Sequence, residues 1–341
     1  MALAVIAVAS IAVVGTGRSA AHAQIATPAT EAPFVVLATI KPLHALTAAV
    51  LGDVAKTELL IDGGASPHTY ALKPSQVRLL NEATAVVMVS SDLETFIEKV
   101  VTSLPKSVAV VKVDGAAGLQ RWPVREGGLF EGHDHGGGSS KASGRHDHSH
   151  DHGDKRSAST KKAQAYSGEL DPHLWLDPDN AKAIVMHLAK VFSDLHPKHR
   201  ATFEKNSAAM IARLDVVTAD IKRELKPVEG KRFIVFHDAY QYFERRFGLM
   251  ASGSITLNPD VQPGARRLKE LRGRIQAGGM VCVFAEPQFE PKLITTLIEG
   301  TKVRKGTLDP IGIAVPPGPE AYETLVRTMA TDFRTCLGAT S

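Results

Sequence analysis

Histidine stands out among the residue types that could do chemistry: the 341-residue chain carries 14 of them. Neutral imidazole is the commonest metal ligand among side chains. Six histidines, His133, His135, His146, His148, His150 and His152, alternate with Asp, Ser and Gly within residues 131–163. This stretch has almost no apolar side chains, so it cannot bury enough surface to order itself and is expected to be a disordered loop. Its imidazoles suit weak collection of an ion, because ordering the loop around one costs entropy.

Three other histidines read differently. His68 lies in Gly63-Gly64-Ala65-Ser66-Pro67-His68-Thr69-Tyr70, His173 in Asp171-Pro172-His173-Leu174-Trp175-Leu176-Asp177-Pro178, and His237 directly follows the strand-like run Arg232 to Phe236. Open parallel sheets bind ligands beyond the carboxyl ends of their strands. His68 follows the strand candidate Thr57 to Ile61, and Asp309 follows Val303 to Leu308. A cleft could therefore gather three imidazoles and one carboxylate, a donor set suited to tetrahedral zinc. His44, just after Pro42, could wall such a cleft. His187, His196 and His199 read as surface or capping residues.

The elements that must position these residues form a regular rhythm. Phe34 to Ile40, Thr57 to Ile61, Ala85 to Ser90 and Val108 to Val113 are apolar, β-branched runs separated by the helical patterns Pro42 to Leu51, Ser75 to Ala83 and Leu93 to Val101. Runs of that kind between helices predict parallel sheets covered on both faces. The rhythm returns with strands at Arg232 to Phe236, Leu249 to Leu257, Met280 to Ala285 and Val303 to Leu308. The helices there are Ala239 to Phe247, Gly264 to Ala277, Pro291 to Glu299 and Glu320 to Arg334. Between the two units, Phe203, Met210, Leu214, Val217, Ile221 and Leu225 keep helical spacing from Pro197 to Pro227. A helix of that length would run about 45 Å and act as a stiff connector. The expected organisation is a segment 1–23, an N-terminal lobe 33–196, a linking helix 197–227 and a C-terminal lobe 228–341.

Composition narrows the class. A net charge of +4 without a basic stripe, and only 6% aromatic residues, argue against nucleic-acid binding. Leu3 to Val14 is apolar and is followed by Ala21-His22-Ala23, the pattern of a cleaved secretory signal, although Met1 to Val8 lacks the usual basic residue. No later stretch is apolar enough to span a membrane. In an exported protein the two cysteines, Cys282 and Cys336, are expected to form a disulfide. No HExxH motif accompanies the histidines, and no general base stands beside them beyond Glu286 or Asp238, so an exported zinc hydrolase is the weaker alternative. No GxxxxGK[ST] phosphate loop is present, so the chain is not a transport ATPase.

Several segments resemble the metal-receptor proteins of bacterial manganese and zinc ABC importers. They are Ile40-Lys41-Pro42-Leu43, Pro67-His68-Thr69-Tyr70 with Lys73-Pro74-Ser75, His173-Leu174-Trp175-Leu176-Asp177-Pro178, Phe236-His237-Asp238-Ala239-Tyr240, Glu286-Pro287-Gln288-Phe289 and Leu308-Asp309-Pro310. They run in order from about residue 34 to 336. The His-rich loop and the cysteine pair most resemble the zinc-binding periplasmic subfamily. The resemblance implies an α/β fold of two lobes, each with a mostly parallel four-stranded sheet, joined by one long rigid helix with the metal between them. It implies a monomeric, non-enzymatic periplasmic protein that captures zinc and passes it to an inner-membrane permease. It also implies His68, His173 and His237 as ligands and, since Pro67 offers no donor where some relatives have a glutamate, leaves Asp309 or water for the fourth position, with Asp309 the expected ligand. Manganese is the alternative cargo within the same family; an imidazole-rich site favours zinc.

Overall fold

The computed structural model describes residues 34–127, 129–130, 169–256, 259, 262–289 and 292–338. The expected export segment and the six loop histidines lie outside these residues.

The first lobe contains β1 (Phe34–Ala38), α1 (Lys41–Leu51), β2 (Ala55–Leu59), α2 (Pro74–Glu82), β3 (Ala85–Met88), α3 (Thr95–Val101) and β4 (Ala109–Lys112). Two helices follow, α4 (Pro178–Leu195) and α5 (Arg200–Leu225). The second lobe contains β5 (Arg232–His237), α6 (Gln241–Phe247), β6 (Ser254–Thr256), α7 (Ala265–Gln276), β7 (Met280–Ala285), α8 (Lys292–Ile298), β8 (Arg304–Thr307) and α9 (Ala321–Gly338). Each lobe has a four-stranded parallel sheet, in the orders β2-β1-β3-β4 and β6-β5-β7-β8. The two orders are the same topology. The central strands are apolar on both faces, and every residue of β3 is buried, as helices on both sides of a sheet require.

Helix α5 presents the stripe expected from the sequence: Phe203, Met210, Leu214, Val217, Ile221 and Leu225 are all buried. Its 26 residues span about 39 Å. It packs on α1 and α4 at one end and on α9 of the second lobe at the other. Helix α4 carries His187. It begins at Pro178, where the Asp177 carboxylate accepts the Asp179 N–H at 2.9 Å. The Cys282–Cys336 disulfide ties β7 to α9 across 54 residues of chain. A closed loop of that size stabilises the fold by about 4 kcal/mol in the chain-entropy picture.

Strand β6 begins at Ser254, later than the Leu249 expected from the sequence. A strap, residues 122–127 and 129–130, crosses to the second lobe and pairs beside it. Leu129 pairs in parallel with Gly253, and its carbonyl accepts the Ser254 N–H at 3.1 Å. A Cβ on Gly253 would come within 2.3 Å of the Leu129 side chain, so only glycine lets the strap approach. The strap is also held by charge. Arg125 pairs with Asp238 and lies 2.6 Å from Glu244, both of them buried.

Candidate metal centre

His68 sits in the loop that follows β2. That loop is tied back by Gln76 in the first turn of α2. Its Nε2 donates to the Leu60 carbonyl at 2.6 Å and lies 2.8 Å from the Tyr70 hydroxyl. His173 precedes a short 3-10 turn, Leu174–Leu176, and its N–H donates to Asp171 Oδ1 at 3.0 Å. His237 is the last residue of β5. His173 and His237 are 5% and 3% exposed, and His68 is half-buried.

These three loops converge. The Nε2 atoms of His68 and His173 are 3.3 Å apart, as are those of His173 and His237. Each imidazole offers one nitrogen, and all three such atoms lie within 4.8 Å of one another. Two of the rings have their far side fixed by a carboxylate. His173 Nδ1 is 2.8 Å from Asp171 Oδ1, and His237 Nδ1 is 2.6 Å from Glu286 Oε1. A proton held on Nδ1 by a carboxylate leaves Nε2 with a bare lone pair facing the centre. Two such lone pairs 3.3 Å apart repel one another and cannot share a hydrogen bond, so a cation between them resolves the contact. Nitrogens about 2.05 Å from a tetrahedral zinc lie roughly 3.3 Å apart. Two of the three spacings match tetrahedral zinc.

The electrostatics divide the site. Burial, reinforced by the neighbouring His173 and His237, pushes the His68 imidazole down to about 2. His237 goes the other way. Burial alone would lower it, but the Glu286 carboxylate, with Asp238 and Asp171 behind it, raises it above its ordinary value. Glu286 also accepts from the Tyr240 hydroxyl at 2.9 Å. Asp171 is steadied by Gln241, whose Nε2 donates to Oδ2 at 3.2 Å.

Asp309 is not one of the converging group. One of its oxygens accepts the N–H groups of Ile311 and Gly312 at 3.1 and 2.8 Å, and the other accepts that of Ile313. The carboxylate thus caps its own loop. Its pKa is raised by burial, against the pull of those three N–H groups. His44 packs against β2, with Nε2 3.1 Å from the Thr57 carbonyl. His196 stacks on Phe34 with ring centres 3.9 Å apart. Asp171 and Glu286 lie inside the motifs named above, but nothing local to either assigns it the role of orienting a ligand. A carboxylate two residues before a candidate histidine, and another just past the end of β7, were the available signals.

Two topologically matched α/β lobes, bridged by a long helix and meeting at a buried tri-imidazole cluster, define a bilobal metal-binding protein. Comparison with known proteins makes this specific. The family model for the periplasmic zinc-uptake complex component A, ZnuA, matches residues 36–336. The high-affinity zinc uptake system protein ZnuA of Brucella abortus (strain 2308) is 43% identical over 304 residues, covering 89% of this chain and 91% of that protein. Its counterpart in Yersinia pestis is 34% identical over 313 residues, covering 92% and 94%. The chain belongs to the ZnuA family. Among solved structures, a crystal structure of ZnuA superposes with TM-score 0.69 at 22% identity, covering 89% of this chain and 99% of that one. A zinc-bound ZnuA lacking its residues 138–173 gives TM-score 0.68 at 22% identity, covering 91% of this chain and 100% of that one. At these identities the structural likeness supports the fold alone.

Proposed function

We propose that this protein captures zinc in the periplasm and delivers it to the permease of an ABC importer, with His68, His173 and His237 as its zinc ligands. The observation that carries the ligand assignment is the 3.3 Å spacing of the Nε2 atoms from His68 to His173 and from His173 to His237, with carboxylates holding the outer nitrogens of His173 and His237. Family membership supports the zinc-uptake role. The chain is a binding component, not an enzyme. Three imidazoles without an engaged carboxylate favour zinc over manganese, which prefers oxygen donors.

The fourth coordination position falls to water in this reading, because Asp309 stands outside the converging group and its carboxylate caps its own loop. The apolar run Leu3 to Val14 and Ala21-His22-Ala23 support export through a cleaved signal. No helix among the described residues is long and apolar enough to cross a membrane. We read residues 33–196 and 228–341 as the two lobes and the protein as a monomer. The histidines of residues 131–163 act as an accessory collector of zinc rather than as ligands of the tight site.

A competition titration of the purified protein with zinc and manganese, against a calibrated chelator, tests the cargo. Zinc should bind more tightly, with one strong site that persists when Gly132 to Gly153 is deleted. Tighter manganese binding, or loss of the strong site on deletion, would refute the assignment. Sedimentation of the purified protein as a dimer would refute the monomer.

A further inference from the structure

We propose that Lys41 is a positioning residue for zinc, because its ammonium gathers three carbonyls of a segment, residues 308–315, that touches side chains or loops around all three imidazoles. The proposal deepens the zinc reading above and rests on it.

Lys41 opens α1 in the first lobe and is only 7% exposed. Its Nζ lies 2.7 Å from the Gly312 carbonyl, 2.9 Å from that of Ile313 and 2.7 Å from that of Val315, all in the second lobe. An ammonium has three N–H donors, so Lys41 is fully used on this loop. Burial lowers its pKa, and the nearby Asp62 and Asp309 oppose that shift. Asp309 grips the same loop from its N–H side, at Ile311, Gly312 and Ile313. Gly312 has φ +71°, a left-handed conformation that a side chain would strain. The backbone of residues 309–315 is therefore held by a carboxylate on its donors and by an ammonium on its acceptors.

That loop reaches each ligand's support in turn. The Tyr240 hydroxyl, which contacts the Glu286 behind His237, is also 3.4 Å from the Leu308 carbonyl. The Pro310 carbonyl accepts the Trp175 indole N–H at 2.9 Å, and the Trp175 ring lies 5.4 Å from that of His173. Ile313 packs over Gly64 in the His68 loop, where an added Cβ would stand 3.3 Å from Ile313 Cδ1. No other residue of the first lobe donates a side-chain hydrogen bond to residues 311–315 among the contacts seen in the described residues. Without the ammonium, three carbonyls lose their partner, and of the first-lobe side-chain hydrogen bonds to the loop described here the one from Trp175 to the Pro310 carbonyl is left. The imidazoles would then have to be ordered by zinc itself, which weakens binding.

The test uses the purified full-length protein, zinc alone as the probe, and the variants Lys41→Met and Ile313→Ala. Lys41→Met should raise the zinc Kd about 10- to 100-fold, the range for losing an outer support of a metal site, chiefly through faster release. Ile313→Ala, which frees the His68 loop while keeping the lysine, should raise it by a smaller factor. The rise in Tm on adding zinc should shrink in both variants, since that rise follows Kd. Visible absorption of the cobalt(II)-loaded variants should lose the intensity of a tetrahedral site. A role confined to stability predicts something else: lower Tm with and without zinc, an unchanged increment, an unchanged Kd and an unchanged cobalt spectrum. That result would overturn the proposal. If Lys41→Met does not fold, an unaltered Kd and cobalt spectrum in Ile313→Ala overturn it alone. Wild-type protein that bound no zinc tightly, or a His237→Ala variant that bound it as well as wild type, would refute the zinc site itself.

Discussion

The two sheets share one strand order, and the crevice where that order reverses is filled differently in each. In the second lobe the reversal falls between β5 and β7. His237 ends β5, Glu286 follows β7, and the two meet at 2.6 Å across the crevice. The imidazole keeps its Nε2 for the other lobe. In the first lobe the reversal falls between β1 and β3, and there Thr39 meets Glu94. The Glu94 carboxylate also accepts the N–H groups of Val89 and Ser90, at 3.0 and 2.9 Å, and is fully buried. Both oxygens are engaged and nothing is left to offer a ligand. A ligand-binding crevice in a parallel sheet is thus a place where binding is possible. Whether it binds depends on whether the residue there has an atom to spare. The first crevice is closed, and His68, one of that lobe's two candidate ligands, stands instead in the loop beyond the next strand, β2.

Removing the open crevice's imidazole should have the largest effect. His237→Ala is expected to raise the zinc Kd by more than about 100-fold, beyond the cost of losing an outer support. Isothermal titration against a competing chelator measures it, and a variant within tenfold of wild type would break the comparison. Glu286→Gln comes next. It keeps the shape but removes the charge that holds the Nδ1 proton, and should cost about 10- to 100-fold in affinity. Retained affinity would mean that the carboxylate does not set the tautomer.

Proton competition should be smaller and should belong to the second lobe. His237 has a raised pKa, so a proton on its ring must leave before zinc binds. Affinity should fall as pH drops from about 7.5 to 5.5, as protons compete for the ligand nitrogens. His68, pushed down to about 2, carries no proton to lose over that range. The slope should therefore be shallower in the residual binding of His237→Ala, which lacks the ring whose pKa is raised. An undiminished slope would move the competing proton to another ligand.

Much of this was legible in the sequence, for identifiable reasons. Strands such as Met280–Ala285 are continuous apolar runs, and α5 repeats its buried residues at helical spacing, so both elements carry their own signal. The three histidines announced themselves by standing after strands or inside distinctive segments. The state of Asp309 was not legible. Its position after β8 is that of a ligand, and only the turn at Ile311 to Ile313 shows its oxygens taken by backbone N–H groups. The strap was hidden for a similar reason. Leu129 and Gly253 meet by tertiary contact across 124 residues of chain, and nothing in either local pattern foretells it. Long-range polar contacts leave no periodicity, and those are the features the sequence reading missed.

The closed crevice gives the last and smallest effect on zinc, and a separate effect on stability. Burial raises Glu94 from 4.5 to about 7, against the Thr39 hydroxyl and the Val89 and Ser90 N–H groups that favour its charged form. An acid whose pKa is higher folded than unfolded binds more protons in the folded state between the two values. Its contribution is therefore full below about pH 4.5, declines as pH rises, and levels off above about pH 7. A shift of that size corresponds to roughly 3 kcal/mol across the window. Glu94→Gln cannot titrate, so chemical denaturation of wild type and variant at pH 4.5, 6 and 7.5 should show wild type alone losing that increment. Zinc affinity at pH 7.5 should stay within about threefold of wild type, as expected for a residue that shares no contact with the ligands. Parallel stability curves would remove Glu94 as the titrating group. A large loss of zinc binding would show that the first crevice also serves the site, and the contrast between the lobes would fail.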